Sequence, residues 1–303
     1  MKRLIFLAML AIAVSSCRKD DIQSGDGPTP PEQEVPETPG TPEEPEDPET
    51  PDNPGTPGDP EEDKDPLIGD YLYDDGTWST SRKEEKNIIG IIYWVGDPAA
   101  EDAALKADHP ECTHGLAVSL NQKRSAWQTG FEQLGTTVSD WLAKQDPDQH
   151  VPYTSKETLG ARNGYSNTKA IETFNMAEEN ASWKVDAVEN VLAYRAQVPV
   201  PESTSGWYLP SAKELSLMCT GEFDDNLLNL DKPAIDMRTR LNQILTETPE
   251  AYWLSGGVYW SSSEYDDATT GWMGAWNVYF EDGDVNISFK DFSSGICRYI
   301  LAF

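Results

Sequence analysis

Histidine is scarce in this chain, with three in 303 residues, and 23 basic residues face 53 acidic ones. A formal net charge of −30 leaves no basic face for phosphate and argues against nucleic acid as a partner. No apolar run reaches about 18 residues, so the sequence holds no membrane-spanning helix. The motifs of common enzymes are missing too: there is no Gly-x-Ser-x-Gly elbow, no His-Glu-x-x-His helix and no phosphate-cradling glycine loop. So few histidines leave a serine triad short of bases. Carboxylates are so abundant that a glycosidase-like pair could be drawn anywhere and has no diagnostic value. The chain reads as a non-enzyme.

Lys2 and Arg3 precede an apolar run from Leu4 to Val14, and Ser15 and Ser16 lead to Cys17. A basic start, an apolar stretch of ~11 residues and small residues before the cut form a secretory signal. Ala13-Val14-Ser15-Ser16-Cys17 resembles the lipobox of bacterial lipoproteins, which implies an acylated Cys17 at the mature N-terminus. Lys19-Asp20-Asp21 is similar to the signal that routes some Gram-negative lipoproteins to the cell's outer face. The expectation is a signal peptide over 1–16 and a lipidated sorting segment over 17–27, which makes an outer-membrane, surface-exposed lipoprotein. Two or more acyl chains anchor stably, each buried CH₂ contributing ~0.8 kcal/mol. Three cysteines then remain in a compartment that permits disulfides. Either one pair among Cys112, Cys219 and Cys297 is bridged, or all three stay reduced.

Thirteen of the 22 prolines fall in 28–66, together with 14 acidic side chains and one lysine. Such a stretch cannot bury enough apolar surface to offset chain entropy and is expected to stay unfolded. From Pro36 to Pro60 a proline recurs every third residue. One proline per polyproline II turn, with repelling carboxylates between, predicts an extended spacer of order 120 Å.

Residues 67–303 carry the foldable part. The run Asn87 to Val95 predicts a buried strand, and Gly115 to Leu120 a second. Thr136 to Lys144 has Val138, Trp141 and Leu142 at helical spacing. Asn167 to Gln197 predicts two helices, the second with Val185, Val188, Val191 and Leu192 on one face. Ser211, with Glu214 three residues on, is a capping box that starts another helix. Ile235 to Leu245 adds a helix with Met237, Leu241, Ile244 and Leu245 on one stripe. After Tyr252 the period changes to two. Trp276, Val278 and Phe280 alternate with polar positions, Asp282-Gly283 signals a hairpin turn, and Val285, Ile287 and Phe289 form a half-buried strand. A last strand runs from Cys297 to Phe303. The fold class is α+β, with strands bracketing a helical middle and a C-terminal β-meander.

Several segments carry a resemblance: Gly90-Ile91-Ile92-Tyr93-Trp94, His114-Gly115-Leu116-Ala117-Val118, Gly206-Trp207-Tyr208-Leu209-Pro210-Ser211-Ala212-Lys213-Glu214-Leu215, Tyr259-Trp260-Ser261-Ser262-Ser263-Glu264, Ala275-Trp276-Asn277-Val278-Tyr279-Phe280 and Cys297-Arg298-Tyr299. In this order they resemble the DUF1566 or Lcl C-terminal family, domains of bacterial surface proteins with a C-type-lectin-like fold. The resemblance implies ligand or surface recognition, including adhesion or service at a pilus tip. One departure concerns calcium. Sugar-binding lectins of that fold use a Glu-Pro-Asn or Gln-Pro-Asp loop and a Trp-Asn-Asp strand. The loop is missing here, and the strand reads Trp276-Asn277-Val278, so a hard oxygen ligand is lost. The resemblance keeps calcium in view, but no cofactor is expected.

His109-Pro110-Glu111-Cys112-Thr113-His114 has the look of a metal site. Zinc needs three or four ligands in tetrahedral array, and His114 already belongs to a strand motif, so local structure is the preferred reading. His150 is isolated in a polar stretch. Trp207, Trp253, Trp260, Trp272 and Trp276, with Tyr252, Tyr259, Tyr265 and Tyr279, crowd the last hundred residues. Trp207, Trp260 and Trp276 lie in the motifs and are assigned to the core. Tyr265, Asp266, Asp267 and Trp272 fall in a polar stretch from Glu264 to Gly274 that reads as a loop. They are the candidate ligand-binding residues, since loops on a rigid scaffold usually carry binding groups.

The function expected is a lipid-anchored recognition domain on a spacer, binding a glycan or a surface protein in adhesion. The alternative is a structural or tip subunit of a pilus or surface assembly, whose strand edges pair with another chain.

Overall fold

A computed structural model describes residues 65–145, 159–221, 227–228, 234–267 and 272–303. The chain divides into two units, Met1–Gly58 and Asp59–Phe303, and every described residue belongs to the second. The signal segment, Cys17, the proline spacer and His150 lie outside the described residues. So do the side chains of Asp266, Asp267 and Trp272.

One eight-stranded sheet organises the domain. Its strands are β1 (Tyr71–Tyr73), β2 (Trp78–Ser79), β3 (Ile88–Val95), β4 (Gly115–Arg124), β5 (Val258–Asp267), β6 (Trp272–Tyr279), β7 (Asp284–Phe289) and β8 (Ile296–Ala302). They lie in the order β2-β1-β3-β4-β8-β5-β6-β7. Every neighbouring pair is antiparallel except β5 and β8, which meet in parallel through Tyr259 and Ile296. The last strand therefore closes the centre of the sheet and joins its two halves. All seven residues of β8 are buried, which is why Cys297 to Ala302 shows no polar alternation.

Helices cover both faces. They are α1 (Ala103–Asp108), α2 (Phe131–Leu134), α3 (Val138–Gln145), α4 (Gly164–Met176), α5 (Asp186–Gln197), α6 (Ala212–Thr220) and α7 (Asp236–Glu247). Alternate residues of β8 sort the core. Cys297, Tyr299 and Leu301 share one cluster with Val138 and Leu142 of α3, Ile171 and Phe174 of α4, and Val188 and Val191 of α5. Ile296, Ile300 and Ala302 share the other with Leu105 of α1, Leu215 and Met218 of α6, and Leu241 and Leu245 of α7. Strands and helices alike agree with the α+β expectation. One residue departs: Leu192 of α5 is 38% exposed, while Tyr194 takes its place inside, stacked on Tyr299 at 4.5 Å.

The tryptophans of the motifs are core, as assigned. Trp207, Trp260 and Trp276 are buried. Trp207 Nε1 donates to Val198 O at 3.0 Å, and Trp260 Nε1 donates to Ser125 O at 3.0 Å, so neither ring carries an orphaned donor inward. Trp260 also lies against Gly295, where a Cβ would stand 2.1 Å from its Nε1. The glycine before β8 is thus a packing requirement.

Of the register shifts in the sheet, two are wide. In β4 the pairing passes from Val118↔Ile300 to Gln122↔Arg298, and in β5 from Trp260↔Asn277 to Glu264↔Ala275. Each bulged strand spends two residues more than its partner, so Ser119 to Asn121 and Ser261 to Ser263 leave the ladder. Their freed backbone groups bind other segments. Leu120 O accepts from Tyr252 N at 2.8 Å, Ser262 N donates to Pro210 O at 2.8 Å, and Ser261 O accepts from Trp127 Nε1 at 2.9 Å.

One sequence expectation is corrected here. The described ends of the Glu264 to Gly274 stretch, Glu264 to Asp267 and Trp272 to Gly274, are strand and not loop. β5 and β6 stay paired through Tyr265↔Gly274, Asp266↔Met273 and Asp267↔Trp272. Backbone pairing with β6 overrides the polar composition that suggested a loop. Phe289, expected to be half-buried, is 55% exposed, because β7 forms the outer edge of the sheet.

Candidate functional site

His109, Glu111 and Cys112 do come together, with ligand atoms within 4.8 Å of one another. Among the described residues they make three possible ligands, one fewer than a closed structural zinc site needs. The Cys112 thiol lies 3.6 Å from Ser203 O and 3.5 Å from Ala302 O and donates to these carbonyls, which uses the proton a metal would displace. Burial first, and then the Glu111 charge, push that thiol up to about 12. All three described cysteines are free and buried, and burial also pushes Cys219 and Cys297 up to about 12. No bridge joins any of them, which closes the pairing question in favour of three thiols.

Of the candidate ligand-binding residues, Tyr265 is half-buried and meets Trp276 edge-on at 5.4 Å. Asp266, Asp267 and Trp272 have described backbones only, at the distal end of the β5–β6 hairpin. Just behind them, Glu264 and Lys290 form a fully buried ion pair. Glu264 accepts from Val138 N at 3.0 Å and from Ser139 N at 2.9 Å, where its charge meets the N-terminus of α3. Lys290 Nζ also donates to Gln128 Oε1 at 3.3 Å and sits 5.0 Å over the Trp127 ring. Both charges are satisfied, and neither faces solvent.

A second polar centre surrounds the capping box of α6. Glu214 Oε2 accepts from Ser211 N at 2.7 Å, Ser211 Oγ accepts from Glu214 N at 3.3 Å, and Tyr208 OH donates to Glu214 Oε1 at 3.1 Å. Gly164 backs this carboxylate so closely that a Cβ there would lie 2.2 Å from Oε2. Burial, helped by the nearby Asp102 charge, raises Glu214 to about 7. Burial and the Glu214 charge push the Tyr93 and Tyr208 phenols well above their ordinary 10. Glu214, Tyr93 and Tyr208 are shut away from solvent, so this centre fastens elements and has no access to a substrate.

The third centre opens outward. Arg298 of β8 is completely buried opposite the β4 bulge. Its Nη1 donates to Tyr252 O at 3.0 Å and to Gln122 Oε1 at 3.3 Å, and Tyr259 OH donates to the same Gln122 oxygen at 3.2 Å. Nε and Nη2 have no hydrogen-bond partner among the described residues. Burial pulls the guanidinium down to about 10, and the groups acting on it are phenols, with no carboxylate among them. The carbonyl it holds belongs to a short surface segment, Ala251 to Ser255, that carries Tyr252 and Trp253 at 54% and 59% exposure. Leu254 pins that segment: its N–H donates to Asn242 Oδ1 at 2.6 Å, and its carbonyl accepts from Arg238 Nε at 2.9 Å. Glu250, just before it, has φ +60°, the one non-glycine positive φ among the described residues. Composition alone did not separate this pair from the buried tryptophans. The available signal was position, since Pro249 and Gly256-Gly257 bracket two aromatics in a stretch with no strand or helix period.

No family model matches the chain. Among curated proteins it is similar to Fim1C of Bacteroides ovatus, named as a candidate fimbrium tip subunit, at 27% identity over 228 residues. The match covers 65% of this chain and 38% of that protein. Among solved structures it is similar to a fimbrial protein of Bacteroides ovatus, with a TM-score of 0.59 and 22% identity, covering 78% of this chain and 49% of that one. The chain thus spans less than half the length of either, and the structural likeness shows the fold alone.

Proposed function

We propose that this chain is a non-catalytic subunit of a fimbria-type surface assembly, carried outside the cell and exposing a recognition domain. The observation that carries the reading is the shared sequence with a candidate fimbrium tip subunit over 228 residues. It favours the assembly alternative over a free-standing lectin-like adhesin. The sheet offers an attachment point: among the described residues nothing pairs with the outer edge of β7, whose Asn286 and Phe289 face solvent. An open edge strand is a template for pairing with another chain. The acylated Cys17 and the proline spacer belong to the same proposal as anchor and stalk. Calcium has no part in it. What supports this is Val278, buried in the core where the lectin strand carries a carboxylate.

The test is fractionation of cells producing the full chain. Sheared surface fibres should carry the protein, and the double variant Asn286→Lys with Phe289→Lys should leave the fibre fraction while keeping its fold. Recovery of the wild-type chain only as a monomer, absent from sheared fibres, would sink the assembly reading.

A further inference from the structure

We infer that Tyr252 and Trp253 form a platform for a neutral saccharide, which deepens the recognition role proposed above and rests on it. Exposed aromatics taken singly are ordinary on a surface. This pair differs in three ways. The two residues are consecutive, each is more than half exposed, and neither ring packs on another aromatic ring among the described residues. Their backbone is clamped on both sides: Tyr252 N to Leu120 O, Tyr252 O to Arg298, and both polar groups of Leu254 to α7 through Asn242 and Arg238. The clamp itself is built at a cost, from a buried guanidinium with two unpartnered nitrogens and a left-handed Glu250 beside it. Strain and unsatisfied polar groups that persist around exposed side chains mark a place shaped for something other than stability.

The occupant follows from size and charge. A buried aromatic side chain contributes roughly 150–250 Å². Two that are about half exposed can give a partner on the order of 200 Å², well below the ~800 Å² each side of a stable protein interface needs. A sugar ring fits that area. Its axial C–H groups meet an aromatic face, and its hydroxyls meet polar groups on the rim. Exposed Glu250 and half-buried Ser255, which flank the pair in sequence, offer such groups. Glu247 and Glu250, both exposed, repel acidic sugars, so the ligand class is a neutral hexose polymer.

Affinity electrophoresis of the full chain through gels containing mannan, galactan or dextran, with colominic acid as the acidic comparison, tests this directly. At least one neutral polymer should retard the protein. Trp253→Ala should weaken retardation at least tenfold and Tyr252→Ala several-fold, with unchanged thermal unfolding and unchanged recovery in sheared fibres. No retardation by any neutral polymer, or equal retardation of wild type and Trp253→Ala, would overturn the platform while leaving the assembly reading standing. Loss of Trp253→Ala from the fibres would also overturn it, by making the pair an assembly contact with another protein.

Discussion

Lys290 and Arg298 sit eight residues apart, both completely buried and each beside a sheet bulge, yet they live in opposite chemical circumstances. Lys290 has the Glu264 carboxylate, the Gln128 carbonyl oxygen and an aromatic face. Arg298 has two oxygen partners and two bare nitrogens. A closed pair of charges deep in a fold fixes which elements meet, because either partner alone would be left uncompensated. A cation that grips a surface carbonyl and lacks a counter-ion holds a loop. The difference separates the half of the sheet around β5 and β6, which is sealed, from the β4–β8 junction, which reaches the surface through Tyr252 and Trp253.

Removing one partner of the closed pair should give the largest effect. Lys290→Met leaves Glu264 buried without its cation and supported only by the N–H groups of α3. The expected loss is about 3–5 kcal/mol. For a domain of this size that lowers the melting temperature by roughly 10 °C. The double variant Lys290→Met with Glu264→Leu should recover part of this in calorimetry. No recovery would mean that Glu264 matters mainly as the cap of α3.

Glu214 sharpens the contrast, being a buried carboxylate whose strongest influences include no cation. Its folded pKa is raised from 4.5 to about 7, so the folded state binds the proton more tightly than the unfolded one. Stability is then highest while the group is protonated in both states, falls as pH rises from about 4.5 to about 7, and stays low above. The whole change is about 3 kcal/mol. Glu214→Gln keeps an acceptor for the Ser211 N–H and should flatten that part of the stability–pH curve in urea titrations. An unchanged slope would assign it to other carboxylates.

Arg298→Met should behave unlike Lys290→Met. It removes a bond to Tyr252 O but also two unsatisfied donors and a desolvated charge, so global stability should shift by less than about 1 kcal/mol in either direction. The loop should respond instead, with faster hydrogen exchange at the Tyr252 amide. A loss of several kcal/mol would show that Arg298 is as structural as Lys290 and would dissolve the comparison.

The periodic parts of this fold were open to reading from sequence. Apolar runs placed β3 and β4, the Ser211–Glu214 spacing placed the start of α6, and period-two alternation placed β6 and β7. Local pattern carries that information because each element buries a face that its own residues define. The bulges carry none of it. Ser261-Ser262-Ser263 looks like a polar break, and only pairing of β5 with β6 shows that the strand resumes at Glu264. The choice among aromatics failed for the same reason. Trp253 and Trp260 have equal composition value, and what separates them is whether Gly295 and Ser125 close over the ring. Those contacts span 35 residues of sequence or more.

The smallest effect belongs to Glu250, the strained residue at the edge of the open centre. Its φ of +60° lies in the left-handed region, which costs an L-residue with a Cβ roughly 1–2 kcal/mol. Glycine removes that cost but widens the unfolded ensemble, an opposing term of about 0.5–1 kcal/mol. Glu250→Gly should therefore raise stability by no more than about 1 kcal/mol, read as a melting-temperature gain of a few degrees at most. Its value lies in what happens next door. If the left-handed turn aims Tyr252 and Trp253, glycine will loosen them, and retardation by the neutral polymer should weaken even as the fold gains. If stability rises and retardation stays the same, the strain serves only the turn, and the clamp through Arg298, Asn242 and Arg238 is enough to hold the pair.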